Sequence, residues 1–226
     1  NGPNYVAKTR VEYYLLGLFY GVLLSMLLYT LLTYFSVRDV SYLYYIAYIA
    51  ACSLFQLTIN GLSYEFFWPQ MPELNNRMLP LSITVATLTL ILLTRSFLQT
   101  RTLMPRIDRL LSLMRWLYLI LALACLFIPY NWAIRLSTAS VVISPLVVLA
   151  IALWVFMAGS RQSRFFLLAF TALLVGMVLY ALKAFHLLPG NALTEYALQI
   201  GSALQMILLV FALADRMRLL KQENLQ

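Results

Sequence analysis

FFLLAFTALLVGMVLYALKA, residues 165–184, holds no charged side chain before Lys183. A helix rising about 1.5 Å per residue needs roughly 20 apolar residues to cross a hydrocarbon core about 30 Å thick, so this stretch predicts a membrane span. Five stretches of the same kind precede it, Leu15–Phe35, Tyr42–Asn60, Met78–Phe97, Leu113–Ile128 and Ile134–Met157, and Tyr196–Ala214 follows. The fourth is the shortest. The predicted fold class is all-α, a polytopic membrane protein folded as a seven-transmembrane-helix bundle. An odd number of crossings puts the termini on opposite faces of the membrane, which suits passage of a solute or a message.

The 226 residues are 63% apolar and only 11% charged, with a mean hydropathy of +0.84. Seven spans leave little chain for an extramembrane domain. The net charge of +8 does not point to nucleic acid, because the basic residues are scattered among loops. With the N-terminus outside, the inner face collects Arg38, Arg95, Arg101, Arg106, Arg109, Arg115, Arg161, Arg164, Arg216, Arg218 and Lys221. The outer face keeps Lys8, Arg10, Arg77, Arg135 and Lys183. Lys and Arg set orientation through the positive-inside bias, so N-terminus out and C-terminus cytoplasmic is the expected topology. Inner arginines would also meet anionic headgroups, making membrane lipids expected partners. Cys52 and Cys125 lie within spans and read as small packing residues. With no CxxC or Cys/His ligand spacing, no metal or other cofactor is expected.

The chain divides into residues 1–12, a linker; 13–214, the bundle; and 215–226, the start of a signalling helix. The opening Asn1-Gly2-Pro3-Asn4 reads as a domain boundary rather than a signal peptide. Gly17, Gly21 and Ser25 form a small-xxx-small run, read as helix packing inside the bundle in preference to a dimer face. Tyr42, Tyr44, Tyr45 and Tyr48 are expected to form an aromatic belt at the membrane–water boundary. Pro145 should kink the fifth span, with Ser144 beside it partly satisfying the freed backbone. The outer loop 61–77 carries Phe66-Phe67-Trp68-Pro69, suited to headgroups or to an outer domain, and Pro189-Gly190-Asn191 signals a turn. Beyond Ala214, Leu213, Met217, Leu220 and Asn224 are spaced as d, a, d, a of a heptad. A two-stranded coil through this seam, and hence a homodimer, stands open beside a frayed juxtamembrane helix.

Polar residues within spans are costly and usually face the bundle interior. Gln56 and Asn60 share a face of the second span. Glu195, Gln199 and Ser202 share one of the seventh, while Lys183 and His186 lie near the outer end of the sixth. They predict a polar, outward-opening cavity between spans two, six and seven, with Lys183 and Glu195 paired. The bland alternative is interhelical hydrogen bonding, worth about 0.6 kcal/mol per bond. Enzyme readings fail. Ser63 lies in a loop, His186 is the only histidine, and no Gly-rich phosphate loop or His–carboxylate cluster is present. No catalytic residue is assigned. The last span also has no lysine for a retinal Schiff base.

Gly21 and Tyr29, Arg38-Asp39 with Tyr42-Leu43-Tyr44-Tyr45, and Gly61 with Trp68-Pro69 form one series of short motifs. It continues in Phe97-Leu98, Pro105, Ser163-Arg164-Phe165-Phe166-Leu167-Leu168 and Leu188-Pro189-Gly190-Asn191. It ends with Ile200-Gly201-Ser202 and Ala212-Leu213-Ala214-Asp215-Arg216. In this order and topology nearly the whole chain resembles the bacterial seven-transmembrane receptors with diverse intracellular signalling modules. The resemblance implies an outer β-rich sensory domain before the bundle and a cytoplasmic histidine kinase or diguanylate cyclase after it, joined by a coiled coil. It supplies no site residues. Signal transduction across a bacterial inner membrane is the expected function, with Leu213, Met217, Leu220 and Asn224 as coupling seam. A small-molecule transporter or channel, or a lipid-binding membrane module, are the alternatives.

Overall fold

Helix direction in this chain can be read from which ends are bonded together. In a computed structural model that describes residues 2–159, 163–184, 187–189, 191, 194 and 196–223, the described residues form helices and short connections, with no strand. The helices are α1 (Gly2–Val37), α2 (Val40–Ile59), α3 (Leu62–Phe66), α4 (Pro72–Phe97) and α5 (Thr100–Leu103). They continue with α6 (Pro105–Ala124), α7 (Tyr130–Met157), α8 (Ser163–Ala184) and α9 (Ala197–Glu223).

Arg95, in the last turn of α4, bonds Asp108 in the first turn of α6, and Arg77 near the start of α4 bonds the Leu126 carbonyl beyond the end of α6. These two helices are antiparallel. Thr84–Ser137 (2.9 Å) and Thr87–Ser140 (3.4 Å) run in the same order along α4 and α7, which are parallel. Tyr48–Gln205 and Ser41–Arg216 run in opposite order along α2 and α9. The long helices thus alternate, as seven crossings require. α4 lies at the centre, packed on α2, α6 and α7, while α1 touches only α2 and α9 extensively.

Among the described residues six helices have the length and apolarity to cross a membrane: α1, α2, α4, α7, α8 and α9. The remaining long one, α6, is set apart by Arg106, Asp108, Arg109 and Arg115 in its first three turns. Sequence placed this crossing at Leu113–Ile128 and read 98–112 as loop; the helix instead starts at Pro105 and ends at Ala124. Proline suits the first helical position, where no N–H is needed. The charge next to it is neutralised: Arg95 grips Asp108 with Nε and Nη2, both at 2.9 Å, and the Thr100 hydroxyl donates to the same carboxylate at 2.8 Å. A two-pronged Arg–carboxylate pair with both side chains under one-fifth exposed is stronger than a surface ion pair. Asp108→Asn is expected to cost about 1–2 kcal/mol in reversible unfolding in mixed micelles. Arg95→Lys should show a similar deficit, since an ammonium cannot make the fork. Wild-type stability in both variants would mean the pair contributes nothing.

Two packing expectations are corrected. Tyr42, Tyr45 and Tyr48 are buried at 3%, 0% and 4% exposure, so they line the bundle rather than a boundary belt. Their spacing of three places them on one face of α2, where Tyr45 Oη donates to the Met206 carbonyl and Tyr48 Oη to Gln205 Oε1, both on α9. Gly17, Gly21 and Ser25 face out of the bundle, and a Cβ at either glycine would meet nothing within 4 Å. The close helix approach occurs instead between α8 and α9. A Cβ on Gly176 would stand 2.6 Å from the Ala197 carbonyl oxygen, and one on Gly201 would stand 3.0 Å from the Ala172 carbonyl. The signal was in the sequence as Ala172-xxx-Gly176 and Ala197-xxx-Gly201.

Serine and threonine hydroxyls also join α4 to α7. Ser137 Oγ reaches the Pro80 carbonyl at 3.1 Å as well as Thr84. Ser144 Oγ lies 2.7 Å from both the Ser140 carbonyl and the Tyr118 hydroxyl, tying α7 to α6 beside Pro145. In the loop after α2, Trp68 Nε1 and the Ser63 hydroxyl both donate to Asn75 Oδ1, whereas Phe66 and Phe67 stay exposed. The Pro189–Asn191 turn closes through the Asn191 N–H on the Pro189 carbonyl at 3.0 Å.

Candidate functional site

Five helices, α2, α4, α7, α8 and α9, enclose a cavity of about 460 Å³. Ile59 and Tyr180, near the ends of α2 and α8, and Leu79, Ile134 and Leu198, near the starts of α4, α7 and α9, form its mouth. Tyr48, Leu90, Pro145 and Gln205, near mid-helix, form its floor. The cavity therefore runs from one face of the bundle to about its midplane. Among the described residues its wall is mainly apolar and carries no charge.

Gln56 and Ser202, two of the sequence-predicted residues, meet in this wall. Gln56 Nε2 donates to Ser202 Oγ at 3.4 Å, and the Ser202 hydroxyl donates to the Gln199 carbonyl at 3.0 Å. Gln205, three residues beyond Ser202 on α9, lies wholly buried at the floor, with Oε1 accepting from Tyr48. Asn60 is directed elsewhere: it caps α2 and donates through Nδ2 to the Tyr20 hydroxyl on α1 at 2.9 Å. Lys183, in the last turn of α8, and Gln199 are not part of the cavity wall. His186 and Glu195, and with them the expected Lys183–Glu195 pair, lie outside the described residues. The expected polar lining is corrected to an apolar one. α4 and α7, whose facing residues are mostly aliphatic, close two of its sides.

Beneath the floor the bundle is packed. Phe97 stacks on Phe166 with ring centres 4.8 Å apart and planes 11° from parallel, and Phe166 meets Phe170 at 4.8 Å. All three are at most 1% exposed, as are Leu111, Leu209 and Leu213. Among the described residues this half is filled mainly by aromatic and aliphatic side chains, with Tyr45, Thr94, Ser41 and Arg216 buried among them.

At the far end of that packed half lies a buried arginine. Arg216 is only 5% exposed; its Nη1 donates to Ser41 Oγ at 2.6 Å, and its guanidinium carbon stands 5.7 Å from the centre of the Phe97 ring. Ser41 Oγ is also 2.7 Å from Ser96 Oγ, so α9, α2 and α4 meet in one hydroxyl–guanidinium chain. The turn from α1 to α2 positions Ser41. Arg38 adopts a left-handed conformation (φ 55°), and Asp39 caps α2 by accepting the Ser41 N–H at 2.6 Å. The Asp39 carboxylate attracts Arg216. Sequence reasoning passed over Arg216 as one more inner cation. Its place directly after Ala212-Leu213-Ala214-Asp215 was the available signal.

The expected coupling seam divides here. Leu213 is 1% exposed and Met217 packs on the same core, so this face of α9 is covered within its own bundle. The helix itself continues unbroken to Glu223. The side chain of Leu220 and all of Asn224 fall outside the described residues.

These features define a polytopic helical membrane domain whose last helix lines a cavity at one end and leaves the bundle at the other. The sequence pattern of the family described as 7TM diverse intracellular signalling matches residues 12–216, and the chain belongs to that family. It is a transmembrane signalling domain. No curated protein and no solved structure matches it.

Proposed function

We propose that this domain relays a stimulus from the outer face of a bacterial inner membrane to a cytoplasmic output domain that follows α9. The observation that carries the reading is the continuity of α9. One helix of 27 residues bears cavity residues Leu198, Ser202 and Gln205, then the buried Arg216, then the exit to Glu223. A change in the cavity or in a domain docked above it thereby moves the same rigid element that leaves below.

The excess of Lys and Arg on the Arg216 side supports placing that end in the cytoplasm and the cavity mouth outside. A histidine kinase or diguanylate cyclase is the output that family resemblance suggests, and an outer sensory domain the input. The relay needs two bundle arrangements of similar free energy that the stimulus contacts differently. In one of them Arg216 is docked on Ser41. The domain transmits and does not catalyse. The packed half below Gln205 favours this over a channel, which needs a polar path through to the far face.

In the full-length protein, two residues inserted after Glu223 turn everything downstream by roughly 200°, while seven return it nearly to its starting angle. Two-residue insertion is expected to uncouple the output from its stimulus and seven-residue insertion to restore it. Equal output from wild type and from insertions of two, three and seven residues would rule out transmission through a rigid α9.

A further inference from the structure

The residues lining the cavity include two buried amides that this chain leaves incomplete. Gln56 is 2% exposed and uses Nε2 on Ser202, but its Oε1 has no partner. Gln205 is fully buried and uses Oε1 on Tyr48, but its Nε2 has no partner. One is a free acceptor and the other a free donor, and both belong to cavity-lining residues. A buried amide group without a partner costs roughly 1–3 kcal/mol, so two of them in one otherwise apolar cavity call for a group that completes both.

From this juxtaposition we infer that the cavity binds an uncharged amphiphile: an apolar body with a single hydroxyl or carboxamide end, seated head-down between Gln56 and Gln205. Three properties of the site select this class. The volume of about 460 Å³ falls in the range of small-molecule sites, roughly 300–1,000 Å³. None of the described lining residues is charged, and burying an unpaired ion against them is prohibitive. The two open amide positions are of opposite kind. Gln56 faces Ser202 and Gln205 is three residues further along α9, about 4.5 Å of helix rise. Once rotation of each terminal amide brings these covered atoms to the cavity, a hydroxyl or carboxamide can accept from Gln205 Nε2 and donate to Gln56 Oε1. The apolar body then extends past Ile83, Met177 and Leu79 toward the mouth at Ile59 and Tyr180. No bond is made or broken; the site is for recognition.

The full-length protein in phosphatidylcholine nanodiscs, with a photoreactive diazirine analogue of 1-dodecanol as probe, gives the test. Irradiation is expected to leave adducts on Ile83, Leu90 and Met177. Unlabelled 1-dodecanol should displace them at roughly one-tenth the concentration of dodecane, the factor expected for hydrogen bonds the alkane cannot make. The double variant Gln56→Leu/Gln205→Leu removes both unpaired groups, and with a third change, Tyr48→Phe, leaves no hydroxyl without its acceptor; it is expected to lose that tenfold preference. Ala86→Phe, which fills the cavity, should lose the adducts. Adducts confined to outward-facing residues such as Leu113 and Ile120, or equal displacement by alcohol and alkane in the wild type, would overturn the assignment. Occupancy is read from the adducts themselves, so this result and the insertion test of the relay can fail independently.

Discussion

Replacing Gly176 by leucine is expected to cost the bundle about 3 kcal/mol or more, and to separate α8 from α9. The reason lies in what the new atoms would strike. A Cβ at Gly176 stands 2.6 Å from the Ala197 carbonyl oxygen and 3.0 Å from Gly201 Cα, and both are backbone atoms. A clash with the end of a flexible side chain is relieved by a rotamer change. One with a helix backbone is relieved only by moving the helix. Overpacking a well-filled core costs typically 1–3 kcal/mol, and here the contact is the most extensive pair in the molecule. Even Gly176→Ala should be destabilising, although alanine favours the helix by about 0.5–1 kcal/mol over glycine. Gly17→Ala is the matched control. It lies on an outward face with no atom within 4 Å of the added carbon, so it should be as stable as wild type or more stable by up to about 1 kcal/mol. Unfolding by steric trapping in bicelles measures both. Equal stability of Gly176→Leu and wild type would mean that α8 and α9 do not touch as described.

The second large effect is expected at the Arg216 junction, and its sign depends on which partner is removed. Ser41→Ala leaves a buried guanidinium without its acceptor, which costs about 1.5–3 kcal/mol and shifts the docked arrangement by roughly tenfold to a hundredfold. Arg216→Met removes the charge and keeps an apolar side chain of similar length. Overall stability should then change little, as when buried ionic groups are replaced by packed hydrophobes. Both variants release α9 from α2 at this junction, while the Tyr45 and Tyr48 bonds nearer the midplane remain. Spin labels at Leu43→Cys and Arg218→Cys, two exposed positions flanking the junction, report the separation once Cys52 and Cys125 are replaced. A single narrow distance is expected in the parent, with a second, longer population in Ser41→Ala and in Arg216→Met. One unchanged distance in all three would show that the arginine does not restrain the last helix.

Both predictions turn on residues whose chemistry was visible in the sequence and whose direction was not. Gly17, Gly21 and Ser25 form as good a small-residue run as Ala172 and Gly176, yet only the second pair meets another helix. Tyr42, Tyr45 and Tyr48 have the composition of a boundary belt, but their hydroxyls are used on α9 instead. The candidate site was half legible. Gln56 and Ser202 were placed together correctly by face and depth, whereas Asn60, one turn further along α2, bonds Tyr20 on the opposite side. The aliphatic walls from α4 and α7 carried no polar marker at all.

The sequence by itself determined the number of crossings, the seven-helix class and the continuation of the last helix. Span length and hydropathy are one-dimensional properties, fixed by the thickness of the hydrocarbon core. Which face of each helix turns inward was decided only by the tertiary structure. In water an apolar stripe marks the buried side of a helix, but in a bilayer the lipid-facing side is just as apolar and the stripe disappears. Inward faces here are set by steric fit at Gly176 and Gly201, by hydroxyl pairs such as Thr84–Ser137, and by Arg216 finding Ser41 across 175 residues of chain. None of these leaves a periodic trace in a single sequence.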